Sequence, residues 1–148
     1  MNETTAREAD GERGQVLVLV ALLLVGLVAV AGLMTDGGIV FTQRRDLQNS
    51  ADAAALAGAM QIDEDAYRAS GGTNVVLDQG AAYQAAVKYL AGEGDSNYSV
   101  RASTTGVDVQ VSRRAATAFL RVIGIDGVTI SAHALAEPQH GITASTPN

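Results

Sequence analysis

The segment Val16–Met34 reads VLVLVALLLVGLVAVAGLM and contains no charged or strongly polar side chain. A helix rises about 1.5 Å per residue, so this segment would extend about 28 Å, close to the bilayer hydrocarbon thickness of about 30 Å. Arg13 precedes it and Asp36 follows it. A helix buried in a soluble core is seldom apolar on every face over such a length, so the segment predicts a transmembrane helix. The positions that mark this predicted span are Val16, Leu24, Gly26 and Met34.

The composition of the chain excludes several classes of protein. Its 148 residues carry 10 Lys and Arg against 16 Asp and Glu, which gives a formal net charge of -6. Nucleic-acid binding needs an excess of cationic side chains to contact phosphates, so no nucleic-acid partner is expected. Because the chain has no Cys, it has no disulfide framework, thiol nucleophile or cysteine-based metal site.

Two kinds of N-terminal processing compete with a permanent anchor. Ala29–Ala31 fits the small-x-small pattern of a secretory signal, but the apolar segment exceeds the usual length of about 7–15 residues and the residues before it are not basic. Prepilin-type processing after Gly11 or Gly14 would place Val16 or Leu19 where such chains carry Glu. Processing after a glycine stays open, and an uncleaved anchor is the expectation.

A single long helix is expected from about Arg13 to about Tyr67. Residues 41–67 are rich in Ala, Leu, Gln and Arg, which favour helices, and no Pro precedes Pro138. The expected organisation is a polar segment at 1–13, a transmembrane helix continuing into a stalk helix at 14–68, a small α+β domain at 73–137 and a mobile tail at 138–148.

A second helix is expected from about Asn74 to about Ala91, capped by Thr73 or Asn74. Small and apolar residues recur along it at spacings of four and three, which predicts one packing face. The residues of this expected face are Val76, Gly80, Tyr83, Val87 and Leu90.

The pattern then changes to a period of two, which is typical of strands. Apolar and polar residues alternate over 98–102, 107–112 and 128–136, and Thr104–Gly106 separates the first two stretches as a hairpin turn. Residues 116–123 fit a short amphipathic helix. The prediction is an α+β fold in which a three-stranded antiparallel sheet carries helices on one face.

Side chains suited to catalysis are scarce. His133 is expected on the polar face of the third strand and His140 in the tail, an arrangement that suits neither a metal site nor a catalytic triad. The acidic run Asp63–Asp65 could bind a divalent cation weakly, but a solvated helix end is the simpler interpretation. No enzymatic activity, cofactor, metal or catalytic residue is therefore expected.

Small residues repeat along Gln48–Met60, which reads QNSADAAALAGAM. Such ladders allow two helices to approach closely, so this stretch predicts helix packing or subunit interaction. Asp52 and Arg45 are too far apart for a simple pair on one helix, so their partners are expected on another helix or chain. The alternative is that Ala is present as the best helix former and Asp52 is solvated. The candidate packing and interaction residues are Asp36, Arg45, Gln48, Ala51, Asp52, Ala55, Gly58 and Ala59.

Three parts of the sequence together resemble the N-terminal module of the TadE/TadG-like proteins of tight-adherence (Flp) pilus systems. They are Glu12-Arg13-Gly14-Gln15 before the apolar helix, Asp36-x-Gly38 after it, and Arg45-x-Leu47-Gln48-x-x-x-Asp52 followed by Ala53-Ala54-Ala55-Leu56-Ala57-Gly58-Ala59. The resemblance covers about residues 12–60 and extends more loosely through 109–136. It does not include the metal-binding D-x-S-x-S motif of the longer TadG-type proteins.

The resemblance implies a non-enzymatic, pilin-like protein anchored by one helix in the bacterial cytoplasmic membrane, with a cytoplasmic N-terminus and the α+β domain outside. Charge alone does not set this orientation, because two arginines precede the span and Arg44 and Arg45 follow it. The implied partners are the lipid bilayer and other pilus-assembly or pilin-like subunits, with self-association through the N-terminal helix as an option. The alternatives are a polymerising subunit of a cell-surface filament, with the apolar helices in its core, and a membrane-tethered ligand-binding or enzymatic ectodomain.

Overall fold

A computed structural model of the chain describes residues 3–139, with side chains from Gly14 onward. The elements in chain order are α1 (Glu3–Ala59), α2 (Glu64–Ala69), α3 (Gln79–Gly92), β1 (Tyr98–Ala102), β2 (Val107–Ala116), a 3₁₀ helix (Leu120–Ile123) and β3 (Gly127–Ala136). A long apolar helix followed by a three-stranded sheet and short helices confirms the predicted α+β class. His140 and the rest of the predicted tail beyond Gln139 lie outside the described residues.

Two compact units make up the fold. The N-terminal unit consists of α1 up to Ile39 together with the segment Ala116–Gly127, and the α+β domain consists of Val40–Ala115 together with residues 128–139. α1 therefore contributes to both units. Its residues 40–59 belong to the α+β domain.

The core of the α+β domain lies between the sheet and two helices. The sheet has the order β1-β2-β3, and β1 pairs antiparallel with β2 so that Val100 faces Val109. The predicted alternation is confirmed at Val107, Val109 and Val111 of β2 and at Ile130, Ala132 and Ala134 of β3, which are buried in the core. Val128, which the pattern predicted on the same face, is 39% exposed. The fully buried members of this core come from both helices and strands: Leu47, Ala51, Ala54, Ala82, Ala86, Leu90, Val107, Val109, Val111 and Ala115.

α1 begins at Glu3 and ends at Ala59, whereas the sequence predicted about Arg13 and about Tyr67. Asp63 causes the early end, because its side chain accepts a hydrogen bond from the Ala66 N–H at 2.9 Å and so starts the separate helix α2. The residues between the two helices are extended and pair with the strand-like stretch before α3, as shown by the isolated bridge from Ile62 to Leu77.

α3 begins at Gln79, so the predicted start near Asn74 is wrong. Residues 76 and 77 are held in extended pairing, since the Asp63 N–H donates to the Val76 carbonyl at 2.9 Å. The helix can start only after them, and Asp78 caps it by accepting from the Ala81 N–H at 3.0 Å.

The predicted packing face of α3 is also wrong except at its last position. Its buried residues are Ala82, Ala86 and Leu90, whereas Tyr83 is exposed. Small side chains face the core here because α3 lies very close to α1, an approach that larger side chains would prevent. The spacing of hydrophobic residues alone does not decide which of the two faces of α3 is buried.

The predicted amphipathic helix over 116–123 is much shorter in the structure. β2 extends to Ala116, and only Leu120–Ile123 form a single 3₁₀ turn. Gly124 ends it with a φ of 88°, a left-handed conformation that favours glycine. Two apolar side chains of this turn are left exposed, Val122 at 86% and Ile123 at 72%.

Candidate functional site

The apolar segment Val16–Met34 exposes its side chains all around α1. Its large apolar side chains, including Val16, Leu24 and Met34, are between 43% and 73% exposed, and a Cβ at Gly26 would contact nothing within 4 Å. Over the described residues, the structure has one helix that is long and apolar enough to cross a membrane, with a mean hydropathy of 3.1 in its most apolar window. Such a surface is unfavourable in water and favourable in bilayer hydrocarbon, which supports the predicted membrane helix.

Asp36 is buried just beyond this segment, with 1% of the residue exposed. Its Oδ1 accepts hydrogen bonds from the backbone N–H groups of Ala118 at 2.8 Å and Phe119 at 3.2 Å. Its Oδ2 accepts from Phe119 at 3.0 Å and from Leu120 at 2.7 Å. The carboxylate therefore satisfies the free amides that begin the 3₁₀ helix, as an N-cap residue does. The sequence singled out Asp36 but did not predict these partners, which lie more than eighty positions away.

Hydrogen bonding lowers the pKa of the Asp36 carboxyl from its ordinary value of 3.8. The largest cause is the bond from the Leu120 N–H, and the bonds from Ala118 and Phe119 act in the same direction. Loss of water raises the pKa but is outweighed. The negative charge of the Asp36 carboxylate at neutral pH strengthens each of these hydrogen bonds. The residue lies two positions after Met34, the end of the apolar segment.

The ring of Phe119 lies against Gly32, one turn before Asp36 on the same face of α1. A Cβ at position 32 would be 2.5 Å from both Cγ and Cδ1 of Phe119. Carbon atoms pack at about 3.5–4.0 Å, so only glycine permits this contact. Gly26 in the same segment has open space around it. The sequence carried no signal that distinguished the two glycines.

Five small residues of the predicted ladder are buried in the core of the α+β domain: Ala51, Ala54, Ala55, Gly58 and Ala59. The closest approach occurs at Gly58, where a Cβ would lie 2.9 Å from the backbone oxygen of Ala82 on α3. The ladder therefore packs α1 against α3 and the sheet of the same chain. Sequence reasoning recognised the close approach but left the partner open.

Gln48 joins α1 to β3 on the surface of the domain. Its Nε2 donates to Asp52 Oδ1 at 3.0 Å and to the backbone oxygen of His133 at 2.9 Å. The structure thus gives Asp52 a partner one turn earlier on its own helix, while Arg45 is exposed. His133 lies on the polar face of β3 as predicted, and its Nε2 is 2.7 Å from Asp108 Oδ2.

An ion pair between Asp95 and Arg113 was missed by sequence reasoning. The Asp95 side chain is 2% exposed, and its Oδ1 accepts from Arg113 Nη2 at 2.7 Å and from Nε at 3.1 Å. Asp95 follows the glycines that end α3, and Arg113 interrupts the alternation of β2 at a half-buried position. Neither residue belongs to a motif, so only the fold brings the two together.

These features define a class of protein: a small α+β domain whose first helix continues from an apolar helix of membrane-spanning length. Residues 14–61 match the Tad family, described as TadE/G-like Flp pilus assembly. The match includes the apolar segment, Asp36 and the whole small-residue ladder, about a third of the chain, and confirms the predicted resemblance over those residues. No curated protein and no solved structure matches the chain.

Proposed function

We propose that this chain is a non-enzymatic, pilin-like, membrane-anchored component of a Flp-type pilus assembly system. The observation that carries the proposal is the Tad match over residues 14–61, which coincides with the helix of membrane-spanning length. The apolar segment would hold the chain in the cytoplasmic membrane, with the N-terminus in the cytoplasm and the α+β domain outside.

The polar side chains with the best-defined geometry favour a structural role. Asp36 caps a turn, Gln48 joins a helix to a strand, and Asp95 forms an internal ion pair. Over the described residues there is no group of three or more His, Asp or Glu side chains placed to hold a metal ion. Each of these arrangements stabilises the fold, and none presents an activated nucleophile next to a base.

Contacts with other pilus subunits would use the exposed side of α1. Ala51, Ala55 and Ala59 are covered within the domain, so they are not free for a second chain. Exposed apolar side chains remain on the same helix at Phe41 and Leu56, in addition to the apolar segment. Self-association through α1 would therefore use these residues and not the alanine ladder.

Membrane anchoring is tested by two charges placed in the middle of the apolar segment. Each Arg near the centre of a membrane helix costs about 2.5–3.5 kcal/mol on insertion scales, and two together cancel most of the gain from the Leu and Val of this segment, so the double variant Leu23→Arg/Leu24→Arg should shift the protein out of carbonate-washed membranes. Leu23→Ile/Leu24→Ile is the matched control and should stay in the membrane fraction. Equal membrane retention of both variants would contradict anchoring by this segment.

Orientation is tested with single cysteines, because the natural chain has none. Ser131→Cys places a thiol at an exposed position of β3. It should react with a membrane-impermeant maleimide in spheroplasts, whereas Thr5→Cys should react only after lysis. The reverse pattern would place the α+β domain in the cytoplasm and refute the proposed topology.

Mass spectrometry of the native protein distinguishes an assembly component from a filament subunit. An intact N-terminus in the membrane fraction supports a permanent anchor. A chain that begins near Glu12 or Gln15 in sheared surface material would instead support a processed, polymerising subunit whose apolar helices form the filament core. Deletion of the chain should abolish pilus output, and normal piliation of the deletion strain would refute both.

A further inference from the structure

We propose that the segment Ala116–Gly127 is a second membrane contact, whose apolar tip enters the phospholipid interface beside the C-terminal end of the apolar segment of α1. The proposal rests on the membrane anchoring of α1 proposed above. Both parts belong to the N-terminal unit, so their relative placement is defined by direct contacts.

The tip of this segment exposes apolar side chains that its own unit leaves uncovered. Val122 is 86% exposed and Ile123 is 72% exposed, and both stand on the four-residue 3₁₀ helix. Phe119 and Ile125 flank them and are also partly exposed. Four neighbouring apolar side chains at the end of one loop form a compact surface that water does not favour.

Gly32 and Asp36 fix the height of this tip along α1. The Phe119 ring rests on Gly32, which lies inside the apolar segment and only about 3 Å from its end at Met34. Asp36 binds three consecutive amides at the start of the 3₁₀ helix. If Val16–Met34 fills the hydrocarbon layer, these contacts hold the tip at the boundary between acyl chains and headgroups, the depth at which amphipathic elements bind.

Three backbone N–H groups of the tip are hydrogen-bonded within it, which lowers the cost of moving them towards hydrocarbon. The Val122 N–H donates to the Phe119 carbonyl, the Gly124 N–H to Arg121 and the Ile125 N–H to Leu120, each at 3.0 Å. At the base of the segment, the Thr117 hydroxyl donates to the Ile125 carbonyl. The loop is therefore closed at its base, and its exposed surface at the tip includes the side chains of Val122 and Ile123.

Charge at the tip fits a phospholipid headgroup layer. Arg121 lies among the apolar side chains on the 3₁₀ helix, and its guanidinium is highly exposed and 3.6 Å from Asp126. Arginine at a membrane boundary extends its charge towards phosphate groups while its carbon stem stays with apolar neighbours. Because the adjacent surface of α1 is itself the exposed apolar segment, the lipid that surrounds that segment is the occupant that these contacts favour.

The test places a lipid-sensitive fluorophore on single cysteines of the full chain. Val122→Cys, Leu24→Cys and Ser131→Cys are each labelled with NBD and reconstituted in phosphatidylethanolamine–phosphatidylglycerol vesicles that contain brominated lipids. The probe at 122 should be quenched best by bromines close to the headgroup, and the probe at 24 by bromines deep in the acyl chains. The probe at Ser131, an exposed polar position of β3, should be quenched by neither.

The three probes separate failure of this proposal from failure of anchoring. Quenching at 24 without quenching at 122 would overturn the second contact and leave the anchor standing. No quenching at either position would overturn both. A blue-shifted probe at 122 that brominated lipids do not quench would assign the surface to a second copy of the chain, and would overturn the lipid proposal.

A pair of glycine variants tests whether Gly32 sets the depth. Gly32→Ala would force the Phe119 ring away, because the added Cβ would lie 2.5 Å from two ring carbons. Because this displaces the residue that holds the tip against α1, shallow quenching of the probe at 122 should fall below that of the natural sequence. Gly26→Ala adds the same methyl group to open space and should leave quenching unchanged. Equal quenching in the two variants would overturn the placement of the tip by Gly32.

Discussion

Replacing Gly58 by alanine tests directly how α1 packs in the α+β domain. The added Cβ would lie 2.9 Å from the backbone oxygen of Ala82, and 3.0 Å and 3.1 Å from the two methyl carbons of Val107. The separations from the two methyl carbons are below the usual packing distance of about 3.5–4.0 Å between carbon atoms, and the separation from the oxygen is shorter still. Ala82 meets the new methyl group with backbone, which cannot rotate aside as a flexible side chain can. α1 must therefore shift away from α3 and β2 or remain strained.

The expected loss of stability follows from two opposing effects. Overfilling a packed core costs about 1–3 kcal/mol. Alanine favours a helix over glycine by up to about 1 kcal/mol, and by less at Gly58 because this is the last residue but one of α1. We expect a net decrease of about 1–2 kcal/mol in the free energy of unfolding. For a domain of this size, that corresponds to a fall in Tm of about 4–16 °C.

Urea unfolding of the full chain in detergent micelles measures this effect through tyrosine fluorescence. The chain has no Trp, and its four tyrosines all lie in the α+β domain: Tyr67, Tyr83, Tyr89 and Tyr98. Gly92→Ala is the matched control, because a Cβ at the end of α3 would contact nothing within 4 Å. That variant should unfold at the wild-type urea concentration or slightly above it. If Gly58→Ala does the same, the close approach of α1 to Ala82 and Val107 is refuted.

Three further outcomes are expected. Leu47→Ala should lower the free energy of unfolding by about 2–5 kcal/mol, because Leu47 is fully buried. Leu56 is 55% exposed, so Leu56→Ala should change that free energy by no more than about 0.5 kcal/mol. Equal urea midpoints for the two variants would contradict the burial pattern of α1. Arg113→Ala should leave the Asp95 carboxylate buried without its ion pair and lower the free energy of unfolding by about 1–3 kcal/mol, a loss that Arg113→Lys should partly recover. Because the pKa of Asp36 is lowered, its hydrogen bonds contribute their full stability above the ordinary pKa of 3.8 and lose it as the pH falls through the lower folded value. The NMR shifts of its three bonded amides should therefore move together only in strongly acidic solution, and movement near neutral pH would contradict the assignment.

The sequence predicted the features that depend on local pattern. The unbroken apolar run Val16–Met34 predicted the helix of membrane-spanning length, because length and composition alone decide whether a helix suits a bilayer. Alternation over 98–102 and 107–112 predicted the first hairpin, because side chains of a strand point to opposite faces with a period of two. The family resemblance was also readable from residues close together in the chain, and the Tad match over 14–61 confirmed it.

Helix ends were predicted less well, because they depend on competition between segments. Residues 60–69 have good helix propensity, yet Asp63 caps a new helix and Ile62 pairs with Leu77. That pairing joins stretches that are separated in the chain, and it also delays the start of α3 until Asp78. Propensity scales do not contain such contacts, so they extended both helices too far.

By itself the sequence determined an apolar anchor helix, an alanine-rich continuation of it and a small antiparallel sheet, since each has a period or a composition of its own. Only the tertiary structure decided what these parts contact. In the structure, the alanine ladder packs in the core of the α+β domain of the same chain, with Gly58 against Ala82. It also placed Phe119 on Gly32 and three distant amides on Asp36. Those contacts depend on the chain folding back on itself, and the spacing of residues along the sequence does not record which distant segment returns to which helix face.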